Sequence, residues 1–524
     1  MPHFIKGRKV KTARKGHEPK GSRKRRRALK AVDLDLHQWI RFFSVASVLL
    51  MATFTLAAIL AANHYRAYPG RVERDSLISK ERGADYIVVD WEGTNNTKEY
   101  KVWYKERDKE TKKRESIEEV PETRIEEAER AKEQAEKVEV DDSWTELKTD
   151  VPEAKAEGLK ENTSYAFVVN SLSEEKEGIA TEPRYFRTKK SQSLDIETKK
   201  ITKFTFSKPF SLDVNAKTDT VYETSDPEVA EVDPSTGKIV PKGEGVTEIK
   251  VTAKATKEYE GAGAKLELEV IDGEPVSAGG ASPNIIYHLD SENCEVAKTV
   301  YGAGGAVVPQ GLAYTGDKYM ISYGMGSPNR IISFEVDGDG KDVSVPKIAL
   351  GHPNGFAYAD ENGLCYCAKG WTSKVFTYDP ETDEYGSVNL SYGCSGIGYD
   401  RKEKLLYTCS RTAMVAYDIS DGYSVKYTTG VVKHSGTMYT QDCGGHAGIL
   451  FRCLSGSGKH GINYIDLYDM KNGRYLGTFS CDLSEVESCI VDKDGFLEIL
   501  ANNSSNEDYI WKTGLNIDTL GEGL

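Results

Sequence analysis

Seven polar residues, Gln310, His352, Asn354, Ser395, Gln441, Asp442 and Glu487, stand at or beside the start of a phrase that recurs through the C-terminal part of the chain. The phrase reads small residue, apolar strand, polar turn, second strand. It appears as Gln310-Gly311-Leu312-Ala313-Tyr314, Asn354-Gly355-Phe356-Ala357-Tyr358 and Ser395-Gly396-Ile397-Gly398-Tyr399, with weaker copies beginning near Gln441 and Glu487. Polar groups delivered by successive repeats onto one axis make a ligand-binding mouth; the same residues, read plainly, cap strands and bond loops. Covalent and metal chemistry find less support. Ser455-Gly456-Ser457-Gly458-Lys459-His460 lacks the gap and the hydroxyl residue of a phosphate-binding loop. Asp337-Gly338-Asp339-Gly340 lacks the distal glutamate of a calcium loop, and Cys365 with Cys367 is half a metal site without a partner cluster. No Ser-His-Asp order or paired-carboxylate motif stands out, so no catalytic residue, metal or cofactor is predicted.

These residues need a scaffold that repeats. Successive phrases start about 41–47 residues apart, the pitch of a four-stranded propeller blade. Second strands follow at 319–323, 364–367, 405–409, 449–453 and 496–500, which predicts a five-bladed β-propeller over 280–516. Strands near 285–288 and 296–300 precede the first full blade and are expected to close the last one. All nine cysteines lie between Cys294 and Cys489, and Cys367, Cys409 and Cys453 recur at one place on the second strand. Stacked sheets are about 10 Å apart, whereas a disulfide needs Cα atoms within about 7 Å, so these thiols are expected to pack as small apolar groups. The starts Gln310-Gly311-Leu312-Ala313 and His352-Pro353-Asn354-Gly355-Phe356-Ala357-Tyr358 resemble those of helveticin-like proteins, secreted by bacteria, with Pro353 where a small residue is usual. That resemblance implies a propeller and an association with the killing of other bacteria.

Two further β units precede it. Over 83–188, Ile87, Val89 and Trp91, then Tyr100, Val102 and Tyr104, alternate with polar residues, and 165–169 forms a third run. The early Trp, the Gly158-Leu159…Thr163-Ser-Tyr165 stretch and the terminal Pro183…Phe186-Arg-Thr188 resemble a fibronectin type III domain. A charge-dense insert at 106–142 departs from that pattern and reads as a solvated helix over 123–140. Over 190–272, Tyr222-Glu-Thr-Ser225-Asp-Pro227-Glu-Val229-Ala230-Glu-Val232 precedes a Gly237-Lys hairpin. This is similar to the bacterial group 2 immunoglobulin-like domain, with Tyr222 where Trp is usual. The overall expectation is a mainly β chain of two β-sandwiches, a propeller and one N-terminal transmembrane helix.

That helix is expected over 42–63, a stretch without a charged residue and long enough to cross a bilayer. It divides the formal net charge of −13 unevenly. Residues 1–41 carry fourteen Lys/Arg against Glu18, Asp33 and Asp35, leaving a strongly acidic remainder. The positive-inside rule keeps 1–41 as a basic cytoplasmic tail and places the rest outside. The expected function is that of a single-pass bacterial plasma-membrane protein, held by an uncleaved signal-anchor, whose propeller binds an extracellular glycan, cell-wall polymer or protein in adhesion. A nucleic-acid partner is not expected. The alternatives are a polysaccharide- or cell-wall-active enzyme using His352 and Glu487 in the propeller channel, and a structural envelope component.

Overall fold

The computed structural model describes residues 36–107, 140–302, 308–325, 330–341, 343–345, 352–456, 461–503 and 507–524. The helix expected over 123–140 and nearly all of the basic tail lie outside the described residues. The described chain is mainly β, with one long apolar helix at its start, Leu36–Ala67. Within that helix Phe43–Ala62 is long and apolar enough to cross a membrane. Its hydroxyls are satisfied internally: Ser44, Thr53 and Thr55 donate to the carbonyls of Ile40, Leu50 and Met51 at 2.6–2.8 Å. Such back-bonding is what lets a hydroxyl sit in an apolar medium.

The chain divides into two compact units. One takes the helix with 88–155 and 166–185; the other takes 81–87, 156–165 and everything from 186 onward. After the helix come a three-stranded sheet, in the order Ile78–Arg82, Tyr86–Asp90, Glu153–Glu157, and a four-stranded sheet, in the order Thr145–Thr149, Glu99–Glu106, Ser164–Leu172, Arg184–Arg187. Trp91 meets Tyr100 edge-on at 5.2 Å. Ser164–Leu172 is buried at every residue but the last rather than on alternate residues, because it is a central strand covered on both faces.

Residues 200–271 form a four-stranded sheet (Thr220–Thr224, Gly245–Ala253, Ala262–Ile271, Lys200–Phe204) and a three-stranded one (Ala230–Val232, Lys238–Pro241, Phe210–Ser211). Tyr222, Val229, Ala230, Ile239, Ile249 and Val251 share one buried cluster. Gly237 has φ +68°, and a Cβ there would stand 2.6 Å from the Tyr222 ring. The Gly-Lys hairpin therefore needs glycine for its backbone and for the aromatic side chain lying over it.

Five sheets follow. The first holds Val308–Tyr314, Lys318–Met325 and Arg330–Glu335. The second holds Gly355–Ala359, Leu364–Ala368, Thr372–Tyr378 and Tyr385–Cys394. The third holds Gly396–Asp400, Leu405–Cys409, Ala413–Asp418 and Ser424–Gly430. The fourth holds Met438–His446, Ile449–Gly456, Asn463–Asp469 and Arg474–Cys481, and the fifth Glu485–Val491, Phe496–Asn502 and Glu507–Asn516. Cys294–Tyr301 pairs with Glu507–Asn516 and completes the fifth sheet, as expected. Ile285–Leu289 does not: it lies parallel to Arg474–Cys481, on the edge of the fourth sheet. It shares that edge with Val276–Ser277, which pairs antiparallel with Tyr475 and Arg474.

The first strand of each sheet packs on the first strand of the next, and that of the fifth on that of the first. Buried clusters follow the same cycle. Leu312, Tyr319 and Ile321 meet Leu500 and Ile510, Met320 meets Phe356 and Cys365, and Ala357 and Tyr366 meet Ile397 and Leu406. Tyr407 and Met414 then meet Cys443 and Leu450, and Phe451 and Cys453 meet Cys489 and Ile499. A large apolar side chain buried this way contributes roughly 1.5–3 kcal/mol. The nine cysteines are all free and buried, and Cys367, Cys409 and Cys453 pack as small apolar groups, as their spacing suggested. The Cys443 thiol donates to the Tyr407 carbonyl at 3.8 Å and the Cys489 thiol to the Phe451 carbonyl at 4.0 Å, each across neighbouring sheets.

Candidate functional site

Written on the recurring phrase, the five first strands carry Gln310, Asn354, Ser395, Gln441 and Glu487 at one position. At the next they carry Gly311, Gly355, Gly396, Asp442 and Ser488. Asp442 is fully buried. Its Oδ1 accepts the Ile397 N–H at 2.8 Å, and its Oδ2 accepts the Phe356 N–H at 3.2 Å and the Ser488 hydroxyl at 2.7 Å. Ser488 Oγ in turn accepts the Leu312 N–H at 3.1 Å. One side chain of the fourth sheet thus ties together the first strands of the other four.

The glycines make room for it. A Cβ on Gly355 would stand 2.3 Å from Asp442 Oδ1 and 2.8 Å from Gly396 Cα, and one on Gly396 would meet Asp442 Cα at 2.6 Å. Gly355→Ala is therefore expected to destabilise this unit by about 1–3 kcal/mol, the usual range for overpacking. A shift in the urea midpoint checks it, and an unchanged midpoint would refute the crowding argument. Burial pushes the Asp442 carboxyl up to about 8, against the pull of the Ser488 hydroxyl and the backbone N–H donors.

The other sequence-predicted residues are not joined across sheets by hydrogen bonds in this way. Gln310 Nε2 donates to the Pro309 carbonyl, Ser395 Oγ to the Cys409 carbonyl and Gln441 Nε2 to Ser455 Oγ, each within its own sheet. His352 is exposed. Asn354 Oδ1 and Glu487 Oε2 are buried acceptors without a hydrogen-bond partner among the described residues. Burial, with Glu485 and Asp508 nearby, holds the Glu487 carboxyl well above the usual carboxylate range. Among the described residues no three His, Cys, Asp or Glu side chains are placed to hold a metal ion.

No family model matches the chain, and no curated protein matches it. Among solved structures it is similar to the fn3 domain of human collagen alpha-1(XX) chain, at 15% identity, over 24% of this chain and 86% of that one, with a TM-score of 0.16. It is also similar to a structural genomics protein of unknown function from Bacteroides thetaiotaomicron. There the identity is 11%, the coverage 61% of this chain and 98% of that one, and the TM-score 0.29.

At the other end of the same strands lies a narrow crevice walled by Tyr314, Tyr358, Tyr399, Arg401 and His446. Arg401 pairs with Asp360 at 2.9 Å, lies 4.8 Å from the Tyr314 ring centre and donates to the Tyr314 carbonyl. His446 pairs with Asp518 at 2.5 Å. Burial raises all three tyrosine hydroxyls, Tyr399 to about 12, so they remain neutral donors. The arrangement suits recognition of oxygen acceptors and offers no activated nucleophile. The tyrosine closing each of the first three phrases was the available sequence signal for this end, and it reads equally well as core packing.

Proposed function

We propose that the chain is a single-pass surface protein. The span 42–63 anchors it in the plasma membrane, 1–41 faces the cytoplasm, and two β-sandwiches over 83–188 and 190–272 present a five-bladed propeller that binds an extracellular ligand. The observation that carries this reading is the cycle of five first strands, with Cys294–Tyr301 joining the ends of the domain within the fifth sheet. Such a cycle brings side chains from every sheet to its two ends, which is how propellers form recognition sites. The ligand classes that fit are a glycan, a cell-wall polymer or a protein. An enzyme reading finds less support, because His352 is exposed while Glu487 is fully buried.

The test is binding of the full chain, in detergent, to a panel of cell-wall polymers, glycans and surface proteins. Saturable binding that weakens about tenfold on Tyr358→Ala or Gln441→Ala is expected. Absence of saturable binding across the panel would overturn the proposal. Protease treatment of intact cells should remove residues after about 66 and spare the tail, as the positive-inside rule requires.

A further inference from the structure

The hairpin tip between Leu364–Ala368 and Thr372–Tyr378, in the second sheet, departs from regular backbone twice. Trp371 has φ +62°, a left-handed conformation that bulky side chains seldom adopt, and Gly370 before it has φ +29°. Beside it the pairing with Tyr385–Cys394 slips: Thr372 faces Cys394 while Lys374 faces Asn389, so residues 390–393 drop out of the register, with Leu390 buried and 391–393 exposed. Strain and bulges of this kind concentrate where side chains are aimed at a ligand. Here they leave Trp371 and Tyr392 each 47% exposed.

The same corner gathers positive charge. Arg411, from the equivalent tip of the third sheet, places its guanidinium 4.3 Å from the Trp371 ring centre. Lys369 and Lys374 stand 5.5 and 5.7 Å from the Phe376 ring centre. The three stretches that build the corner, 366–376, 389–395 and 408–414, contain these three cations and no Asp or Glu, in a chain where acids outnumber bases 82 to 69. Asn354 Oδ1, a buried acceptor without a partner, lies 3.3 Å from where a Cβ on Gly370 would be.

We infer that this corner binds an acidic carbohydrate. The indole and phenol rings offer flat apolar faces for pyranose rings. Arg411, Lys369 and Lys374 receive carboxylate or sulfate groups. The acidic surroundings repel a long polyanion laid across the surface but not a short acidic saccharide confined to this patch. The inference rests on the reading of the five-sheet ring as a ligand-binding head, and it names the ligand class.

A glycan array of uronate-, sialate- and sulfate-bearing saccharides with their neutral counterparts, probed with the full chain in detergent, tests it. The strongest binder is then titrated by tryptophan fluorescence. Acidic members should bind about tenfold better than their neutral counterparts, and Trp371→Ala and Arg411→Gln should each cost about tenfold while keeping the wild-type urea midpoint. The preference should weaken with salt. Equal binding of acidic and neutral members, or unchanged affinity in both variants, overturns the inference and leaves the ligand-binding head standing. Absence of binding on the array and on the wider panel overturns both.

Discussion

Asp442→Ala is expected to lower the unfolding free energy of the second compact unit by about 3–6 kcal/mol, read from urea denaturation. The substitution removes the acceptor from two buried N–H groups and one hydroxyl, on Ile397, Phe356 and Ser488. Each buried polar group left unsatisfied costs about 1–3 kcal/mol. Against a typical total of about 5–15 kcal/mol, the loss brings the unit near its threshold. Asp442→Asn keeps the volume but turns one acceptor into a donor facing donors, so it should recover only part of the loss. Asp442→Gly is the sharper test, because it would make the fourth phrase match the three Gly-containing ones. It is nevertheless expected to destabilise, since Gly355 leaves room for this carboxyl and Gly396 for its backbone. A loss below about 1 kcal/mol in Asp442→Ala would show that the five strands hold together without it.

Raising the pH from 8 to 10 is expected to destabilise the same unit still more. Burial holds the Cys294 thiol up to about 11 and those of Cys394 and Cys481 up to about 12, and holds Cys365, Cys367 and Cys443 high as well. Cys453 is held high by the neighbouring Cys489 thiol and by burial. In the unfolded chain these thiols ionise near the ordinary value of about 8.5, so above it the unfolded state binds fewer protons. The stabilisation is thus complete below that pH and is lost by about 1.4 kcal/mol per thiol for each unit above it. Lys203, lowered to about 8 by burial, acts oppositely, since its unfolded form holds its proton longer. One lysine against seven thiols leaves the net sign negative. The urea midpoint should fall steeply between pH 8 and 10. A flat profile would mean that the thiols are accessible in the folded state.

The parts of the molecule written into local spacing were readable from the chain. Gly311, Gly355 and Gly396 mark close approach of strands, and close approach admits nothing larger, so the phrase appears in the sequence. Asp442 was recognisable as a polar residue near a phrase start but not as the hub, because it occupies the slot that defines the phrase and so makes its own copy look weak. The partner of Ile285–Leu289 was not readable either: two sheet edges compete, and no side-chain pattern chooses between them. Trp371 and Arg411 are forty positions apart, and only the stacking of neighbouring sheets makes them neighbours. Asn354 stood among the candidates for a different reason, and its unpartnered oxygen emerged only from the geometry.

The strand Lys200–Phe204 belongs to the four-stranded sheet of residues 200–271, yet Phe204 and Ile271 lie in the same buried cluster as Ile449, Phe479 and Leu497 of the fourth and fifth sheets. Thr202 exchanges hydrogen bonds with Asn516 and Thr519, and Lys203 donates to the Thr519 carbonyl and, at 2.8 Å, to that of Glu522. A joint of this kind is a weld rather than a hinge. A load applied at the ring passes into the strand through side chains already closed off from water, so the two regions can part only by wetting that cluster. They would then yield together, as one mechanical element, and any compliance in the molecule must lie elsewhere along the chain.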